Sequence, residues 1–335
     1  MRWLLGIVGF GTVCGLASGC AGESENEPDA PKAAAGSPAT TGGSSSGGSG
    51  AGGTSTGTGG AVATGGASPM QRCEGSFGAS QTLFDFKSDL GSSLSVTADE
   101  LEIFYVHVNP TANTHDIAVL KRTAKSAAFS GPSVVSELQA ACAFEDYPAL
   151  DVSDDGLRMY FTCLDGPAPL RFATRASRSA AWVVDADPIG TVGDSITVSG
   201  DELTAVGVRN LDSDARPDVH VRASVTQAFG VPIAVAGVDE IFSNPDLSYD
   251  GRVLFGVIRP PEGARLSFVP LGDDLVATAA PSRVGMPAPA TPPSGTVVDD
   301  YTPTLTPDCR SIYFLRSAGP SGNGQRRYTL EYAAR

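Results

Sequence analysis

Histidine, the side chain most often used for acid–base catalysis and metal binding, is scarce in this chain of 335 residues. The three histidines are His107, His115 and His220, and no two of them have the spacing of a metal-binding pair. His107 alternates within the strand-like run FYVHV and His115 lies in the polar stretch THD, which predicts structural roles in a sheet and a turn. The sequence contains no Gly-x-Ser-x-Gly elbow, phosphate-binding loop or dinucleotide fingerprint. It therefore predicts no catalytic residue, no cofactor and no metal site.

Carboxylates are the remaining groups that could act together, and three acidic pairs share one kind of position. They are Glu145-Asp146, Asp239-Glu240 and Asp299-Asp300, each shortly before a predicted inner strand. If those strands surround a channel, the pairs could form an acidic ring at one mouth and bind a cation or a positively charged ligand. The alternative is a set of solvated loop charges. Carboxylates for glycoside hydrolysis would need a defined separation in space, which only a structure reveals.

An internal repeat organises the chain from residue 93 onward. Its copies are SLSVTADELEIFYV (93–106), PALDVSDDGLRMYFTC (148–163), SITVSGDELTAVGV (195–208), NPDLSYDGRVLFGVI (244–258) and TPTLTPDCRSIYFL (302–315). Each copy has a short apolar or β-branched stretch, a turn and a second alternating run, which is typical of a β-hairpin. The turn aspartates are Asp99, Asp155, Asp201, Asp250 and Asp308, at steps of 56, 46, 49 and 58 residues. This period suits a four-stranded propeller blade, and the aspartates are expected to shape the turns by bonding the backbone.

A second motif, which contains one aromatic residue, follows the hairpin. Phe129, Trp182 and Phe229 each come after an alternating strand and a polar turn, and each opens a further strand. The chain stops at RRYTLEYAAR, which has only the first half of this motif, whereas the segment CEGSFGAS from residue 73 has the second half. The segment from Phe77 to Phe84 is therefore expected to supply the outermost strand of the last blade and to close a five-bladed ring without a free edge. Six blades would require one repeat eroded beyond recognition within residues 259–300.

The copies at residues 148–161 and 245–255 resemble the TolB-like β-propeller repeat, whose signature runs Pro-x-Leu-Ser-x-Asp-Gly-x-x followed by two aromatics. The resemblance covers residues 73–335 and implies an all-β, five-bladed β-propeller. It implies almost nothing about function, because such repeats serve binding, scaffolding and accessory roles alike. Glu100, Glu202 and Cys309 replace the turn glycine, and the two glutamate copies are expected to have looser or differently shaped turns. The aromatic pairs after the turns, such as Tyr160-Phe161, are expected in the core between blades.

Four cysteines fall within residues 73–335, and four cysteines allow three pairings. With the ring closed as above, a Cys142–Cys163 disulfide would staple the second blade, and a Cys73–Cys309 disulfide would join the two sides of the mixed last blade. No spacing resembles a zinc ribbon, and disulfides persist in exported proteins.

The first 72 residues are expected to lie outside the propeller. Residues 1–19 have a basic start, an apolar core too short to span a membrane, and the sequence ASGC, which resembles the lipoprotein processing box and implies lipidation of Cys20. The box usually has Leu where this chain has Ala17, so a secreted or periplasmic soluble protein is the alternative. Residues 20–72 are rich in Gly, Ser and Ala, which predicts a disordered linker. Ala21 favours the outer membrane, by resemblance to the sorting rule of such lipoproteins.

The charge of the predicted propeller limits its partners. Residues 73–335 contain 20 basic and 33 acidic side chains, a net charge of −13. Such a domain lacks the basic surface that nucleic acids and anionic lipids require, so membrane attachment is expected only through the lipid anchor. We expect a monomer that binds an envelope protein or polymer.

Two functional hypotheses from different classes fit these features. The first is a non-catalytic binding or interaction module of the cell envelope, and the alternative is a propeller enzyme acting on an extracellular glycan or other polymer. A third is a purely structural role. An enzyme should have convergent carboxylates or histidines with shifted pKa values in a polar cleft at the channel mouth, whereas a packed or featureless channel would favour the binding module.

Overall fold

The structure, a computed structural model, describes residue 73 and residues 75–87, 90–109, 114–141, 149–163, 170–187, 189–193, 195–209, 216–238, 242–258, 264–287, 296–320 and 326–335. The predicted signal peptide, Cys20 and the linker up to residue 72 lie outside the described residues. Across the described ranges, no helix is both long enough and apolar enough to cross a membrane.

Twenty strands within these residues form five antiparallel sheets of four strands each, the blades of a propeller. The first strand, β1 (Gln81–Lys87), belongs to the last blade. Blade I contains β2 (Leu90–Val96), β3 (Glu102–Asn109), β4 (Thr114–Lys121) and β5 (Ser133–Val134), followed by the helix α1 (Ser136–Ala141). Blade II contains β6 (Leu150–Val152), β7 (Arg158–Thr162), β8 (Leu170–Thr174) and β9 (Val183–Val184). Blade III contains β10 (Ser195–Val198), β11 (Thr204–Arg209), β12 (Arg216–Val221) and β13 (Ile233–Ala234). Blade IV contains β14 (Phe242–Leu247), β15 (Val253–Ile258), β16 (Arg265–Pro270) and β17 (Ser282–Arg283). Blade V contains β18 (Thr296–Leu305), β19 (Ser311–Pro320), β20 (Arg327–Ala334) and β1.

The Asp turn between the first two strands of each blade has one hydrogen-bonding pattern throughout. A Ser or Thr two residues before the Asp donates its hydroxyl to the carboxylate at 2.6–2.8 Å. The same carboxylate accepts the backbone N–H two residues further on at 2.9–3.2 Å. These bonds replace backbone pairing that a tight turn leaves unmade. The prediction that the five aspartates are turn-formers is confirmed.

The expectation of looser turns at the two glutamates is wrong. Glu100 and Glu202 both have φ of 60°, in the left-handed region that Gly156 also occupies with φ of 71°. Their backbone N–H groups bond the carbonyl three residues back at 2.8 Å, as the Gly156 N–H does at 2.7 Å. Cys309, with φ of 54°, adopts the same turn. The left-handed region is unfavourable for a residue with a Cβ, so contacts of the side chains at these positions must offset the energetic cost of the turn.

The ring closes through a mixed last blade, as predicted from the half-motif near residue 73 and the complementary half-motif in RRYTLEYAAR. β1 pairs antiparallel with β20, with Gln81 opposite Tyr332. Phe77 precedes β1 as the aromatic of the second motif, and the N–H of Gly78 bonds the end of β20 at 2.7 Å. The innermost strands contact one another around the ring, including β18 with β2. The prediction of five blades is confirmed, since the described residues form no sixth sheet.

In four of the five blades, the aromatic residue of the second motif packs its blade against the preceding one. Trp182 of blade II lies in a buried cluster with Phe104 of blade I, and Phe77 of blade V lies in one with Phe255 of blade IV. The aromatic pairs after the turns are likewise buried. Each of these interfaces also uses an arginine that directly follows the third strand, which the sequence reading missed. The guanidinium groups lie 4.3–4.5 Å from the aromatic ring in four blades: Arg122 on Phe129, Arg175 on Trp182, Arg222 on Phe229 and Arg335 on Phe77.

One predicted disulfide is present among the described residues. Cys73 and Cys309 are bonded, with their Cα atoms 5.0 Å apart, so the segment that enters the propeller is linked to the turn of blade V. Cys163 is disulfide-bonded. Its predicted partner Cys142 lies outside the described residues, so that pairing stays a prediction.

Candidate functional site at the mouth of the central channel

The innermost strand of each blade carries one equivalent polar residue, two positions before the Ser or Thr of the Asp turn. These residues, here called the channel girdle, are Ser95, Asp151, Thr197, Asp246 and Thr304. Four of them accept a hydrogen bond from a backbone N–H of the next blade, namely Ser95 from Val152 at 3.0 Å, Asp151 from Val198 at 2.6 Å, Thr197 from Leu247 at 2.9 Å and Asp246 from Leu305 at 2.8 Å. The girdle therefore joins consecutive inner strands around the channel.

A cavity of about 220 Å³ opens over the girdle on the face of the Asp turns. Its floor includes Asp151 and Asp246, and its rim includes the turn residues Asp154, Tyr249 and Pro307. On one side the cavity reaches the interface of blades II and III, where Arg158 and Glu202 line it. The channel is thus neither packed nor featureless at this mouth.

Burial shifts the acid–base equilibria of three carboxyl groups in this cavity. It raises the pKa of Asp151 to about 7, although hydrogen bonds from Ser95 and from the backbone oppose the shift. Burial, together with the charge of Asp151, raises the pKa of Asp246 well above its usual range. Burial and the charges of Asp155 and Glu202 raise the pKa of Asp154 to about 6, and no hydrogen bond from a described residue offsets that rise. Each carboxyl consequently favours its protonated form more than an exposed one would.

Glu202 lines the cavity, but its charge is compensated. The Tyr160 hydroxyl donates to its carboxylate at 2.5 Å, and an Arg158 nitrogen lies 2.6 Å from its other oxygen. Arg222 donates to the Tyr160 hydroxyl at 2.7 Å, so a Tyr, a Glu and an Arg link blades II and III. The same arrangement links blades V and I through Tyr313, Glu100 and Arg122. A pattern repeated at two interfaces indicates a structural role for these glutamates.

Tyr249 is the aromatic side chain that stands exposed among the described residues, with 52% of its surface accessible. Its ring lies against the turn of blade III, where a Cβ on Gly200 would fall 2.0 Å from the ring atom Cδ2. The Gly200 N–H also bonds the Tyr249 carbonyl at 3.0 Å. The missing side chain at residue 200 therefore lets the tyrosine ring lie across a neighbouring blade at the cavity rim.

The predicted acidic ring is only partly covered by the described residues. Asp299 and Asp300 lie within β18 instead of in a loop before it, and Arg326 and Arg316 bind their carboxylates at 2.6 and 2.7 Å. This pair is therefore neutralised and does not line the cavity. Glu145-Asp146 and Asp239-Glu240 lie outside the described residues. The described part of the chain contains no group of three or more potential ligands that could hold a metal ion.

The three histidines also lie away from the cavity. His107 is on β3, as predicted, whereas the turn role predicted for His115 is wrong because this residue lies within β4. His220 on β12 is fully buried with Nδ1 3.1 Å from the Gly230 carbonyl oxygen. The sequence reading missed the girdle and Tyr249. Aligning the repeats would have revealed a polar residue at one inner-strand position in all five copies.

Comparison with known proteins supports the architecture. The sequence matches no protein-family model and no curated protein. A GH43_1 enzyme from Xanthomonas citri, solved in complex with xylotriose, superposes with a TM-score of 0.53 at 14% identity, over 79% of this chain and 91% of that one. An α-L-arabinofuranosidase from Lactobacillus brevis gives 0.50 at 11% identity, over 76% and 92%. The fold is a five-bladed β-propeller.

TolB proteins are also among the similar structures, as the repeat resemblance predicted. TolB from Acinetobacter baumannii gives a TM-score of 0.42 at 16% identity, over 72% of this chain. This chain spans 54% of that protein, about half of its length. Identities of 11–16% speak for the fold alone.

Proposed function

We propose that this protein is a non-catalytic binding module of the cell envelope, anchored through Cys20, whose ligand enters the mouth of the central channel. The observation that carries the proposal is that the carboxylates at this mouth have two different roles. Asp151 and Asp246 hold the backbone of neighbouring blades, whereas Asp154 and the ring of Tyr249 stay open at the rim. Such a site offers contacts to a ligand without a second free carboxylate.

Catalysis on a glycan is the second candidate, because one observation favours it. The pKa values of Asp154, about 6, and Asp151, about 7, lie where a general acid works near neutral pH. Glycoside hydrolysis also needs a second carboxylate that faces the substrate. The oxygens of Asp151 are taken by the Ser95 hydroxyl and the Val198 N–H, which argues against that role.

The envelope location rests on the leader, the cysteine usage and the linker. A disulfide between Cys73 and Cys309 is expected to persist only in an oxidising compartment, which supports export. Incorporation of radiolabelled palmitate into the full chain, and its loss in Cys20→Ala, would test the anchor. Unlabelled protein recovered in the soluble fraction would favour the secreted alternative.

Absence of catalysis is tested with the full-length protein on xylan and arabinan, with release of reducing ends as the readout. We expect no release above that of the Asp154→Asn variant. Release by the wild type that Asp154→Asn abolishes, in a variant with unchanged thermal unfolding, would establish the enzyme and overturn the binding module.

A further inference from the structure

Most of the carboxylates that line the cavity already have a hydrogen-bond or ion-pair partner. Glu202 is matched by Arg158, and the Asp155 carboxylate is engaged by the turn through Ser153 and the N–H of Leu157. The floor carboxyls Asp151 and Asp246 accept backbone hydrogen bonds from the next blade. Asp154 is the one carboxylate of this lining that no described hydrogen bond or ion pair engages.

The groups that remain available combine an acceptor, a donor and an aromatic face. Asp154 offers carboxylate oxygens, and Arg158 offers a guanidinium whose side chain is 39% exposed. The Arg158 Nε is buried and has no hydrogen-bond partner among the described residues. The Tyr249 ring, backed by Gly200, offers a flat apolar surface beside them.

From this juxtaposition we infer that the channel mouth binds one ring of a neutral glycan, stacked on Tyr249 with hydroxyl groups bonded to Asp154 and Arg158. Sugar hydroxyls both donate and accept hydrogen bonds, so they can donate to the Asp154 carboxylate and accept from the Arg158 guanidinium in the same cavity. The C–H face of a sugar ring suits an aromatic surface that is exposed on one side and supported on the other.

The size of the cavity fits a single ring. Its volume of about 220 Å³ is below the roughly 300 Å³ at which pockets for drug-sized ligands begin. A terminal or side-branch residue of a glycan would therefore enter, while the rest of the chain would lie outside. The inference rests on the proposed function, for which it names the ligand class.

The test uses the full-length protein and three neutral tetrasaccharides: xylotetraose, cellotetraose and tetra-N-acetylchitotetraose. Binding is measured by isothermal titration, and saturation-transfer NMR identifies the sugar ring in contact. We expect at least one tetrasaccharide to bind through an end ring. Tyr249→Ala should weaken that binding about tenfold, the loss of one good contact, whereas Tyr249→Phe should retain it within about twofold.

The matched control is Val231→Ala, an exposed apolar residue of blade III that is 81% accessible and does not line the cavity. It should bind as the wild type does, and thermal unfolding should be unchanged in all three variants. Binding of none of the three sugars, or binding that Tyr249→Ala leaves unchanged, would overturn the inference. Tighter, Tyr249-dependent binding of spermine would overturn it in favour of a cationic ligand. Cleavage of a bound sugar would instead overturn the non-catalytic function and leave the glycan site standing.

Discussion

At the scale of the residue, Asp151 and Asp246 occupy positions that serine or threonine fill in the other three blades. All five side chains can accept a backbone N–H, but only the aspartates can ionise. A carboxylate at the floor of the channel mouth makes the hydrogen bond stronger and the burial less favourable. The raised pKa of Asp151 indicates that the second effect is larger.

The stability of the propeller should consequently fall as pH rises through neutrality. The pKa of Asp151 rises from 3.8 to about 7 on folding, so between these values the folded state binds more protons than the unfolded state. The stabilising contribution is complete below about pH 4 and is lost above about pH 7, at about 1.4 kcal/mol per pKa unit. Asp151→Asn, which stays uncharged, should flatten this dependence in urea unfolding between pH 4.5 and pH 8. Asp273→Asn, whose side chain is 86% exposed, is the control and should keep the wild-type slope. An unchanged slope in Asp151→Asn would show that Asp151 is ionised throughout.

At the scale of the element, glutamate replaces the turn glycine in the two blades whose preceding blade has a tyrosine at one position of its second strand. Glu202 faces Tyr160 and Glu100 faces Tyr313, which occupy the same position on the second strand of their blades. Where that position holds Phe104, the next turn has Gly156. The repeat therefore varies in matched pairs, with a buried acceptor present where a buried hydroxyl needs one.

Restoring the glycine should destabilise the protein, although it relieves the left-handed backbone. In Glu202→Gly the Tyr160 hydroxyl and the buried guanidinium of Arg222 lose their carboxylate partner, which costs about 3–5 kcal/mol. A glycine at φ of 60° regains about 1–2 kcal/mol. Urea unfolding should therefore show a free energy of unfolding that is lower by roughly 2 kcal/mol. Gly251→Ala provides the converse control, because only the backbone term changes there and the loss should be smaller. A Glu202→Gly variant as stable as the wild type would refute the network's role.

The blades could be predicted from sequence because the inner hairpin of each one lies in contiguous residues: a Ser or Thr, an Asp two residues on, and an alternating strand. Closure was predictable because both ends of the chain carry half of one motif. The Glu–Tyr–Arg links and the girdle join different blades, so their residues are far apart in sequence and no local pattern predicts the contacts. The site was least predictable, because Tyr249 and Asp154 have the sequence context of ordinary turn residues. Only the closed ring places their turns together at the mouth of the channel.

At the scale of the whole molecule, the first described segment has two separate attachments to the ring. Phe77 fills the interface of blades IV and V, and β1 completes blade V through its pairing with β20. The disulfide adds a covalent link at residue 73, before either of these contacts. Any force that reaches the propeller through the preceding chain would thus be borne by Cys309 and spare the hydrogen bonds of β1.

Removing this link should loosen the closing strand before it affects the rest of the ring. The cysteines are 236 residues apart, and the chain-entropy model assigns a loop of that length ~5.5 kcal/mol. The double variant Cys73→Ser/Cys309→Ser should fold, because Phe77 and the β1–β20 pairing remain, but it should unfold at a lower temperature. Hydrogen exchange should rise in a peptide covering 75–87 while a peptide from β4, covering 114–121, exchanges as in the wild type, because opening β1 leaves blade I intact. Equal acceleration in both peptides would mean that the ring opens as one unit. The disulfide would then stabilise the whole propeller and not β1 in particular.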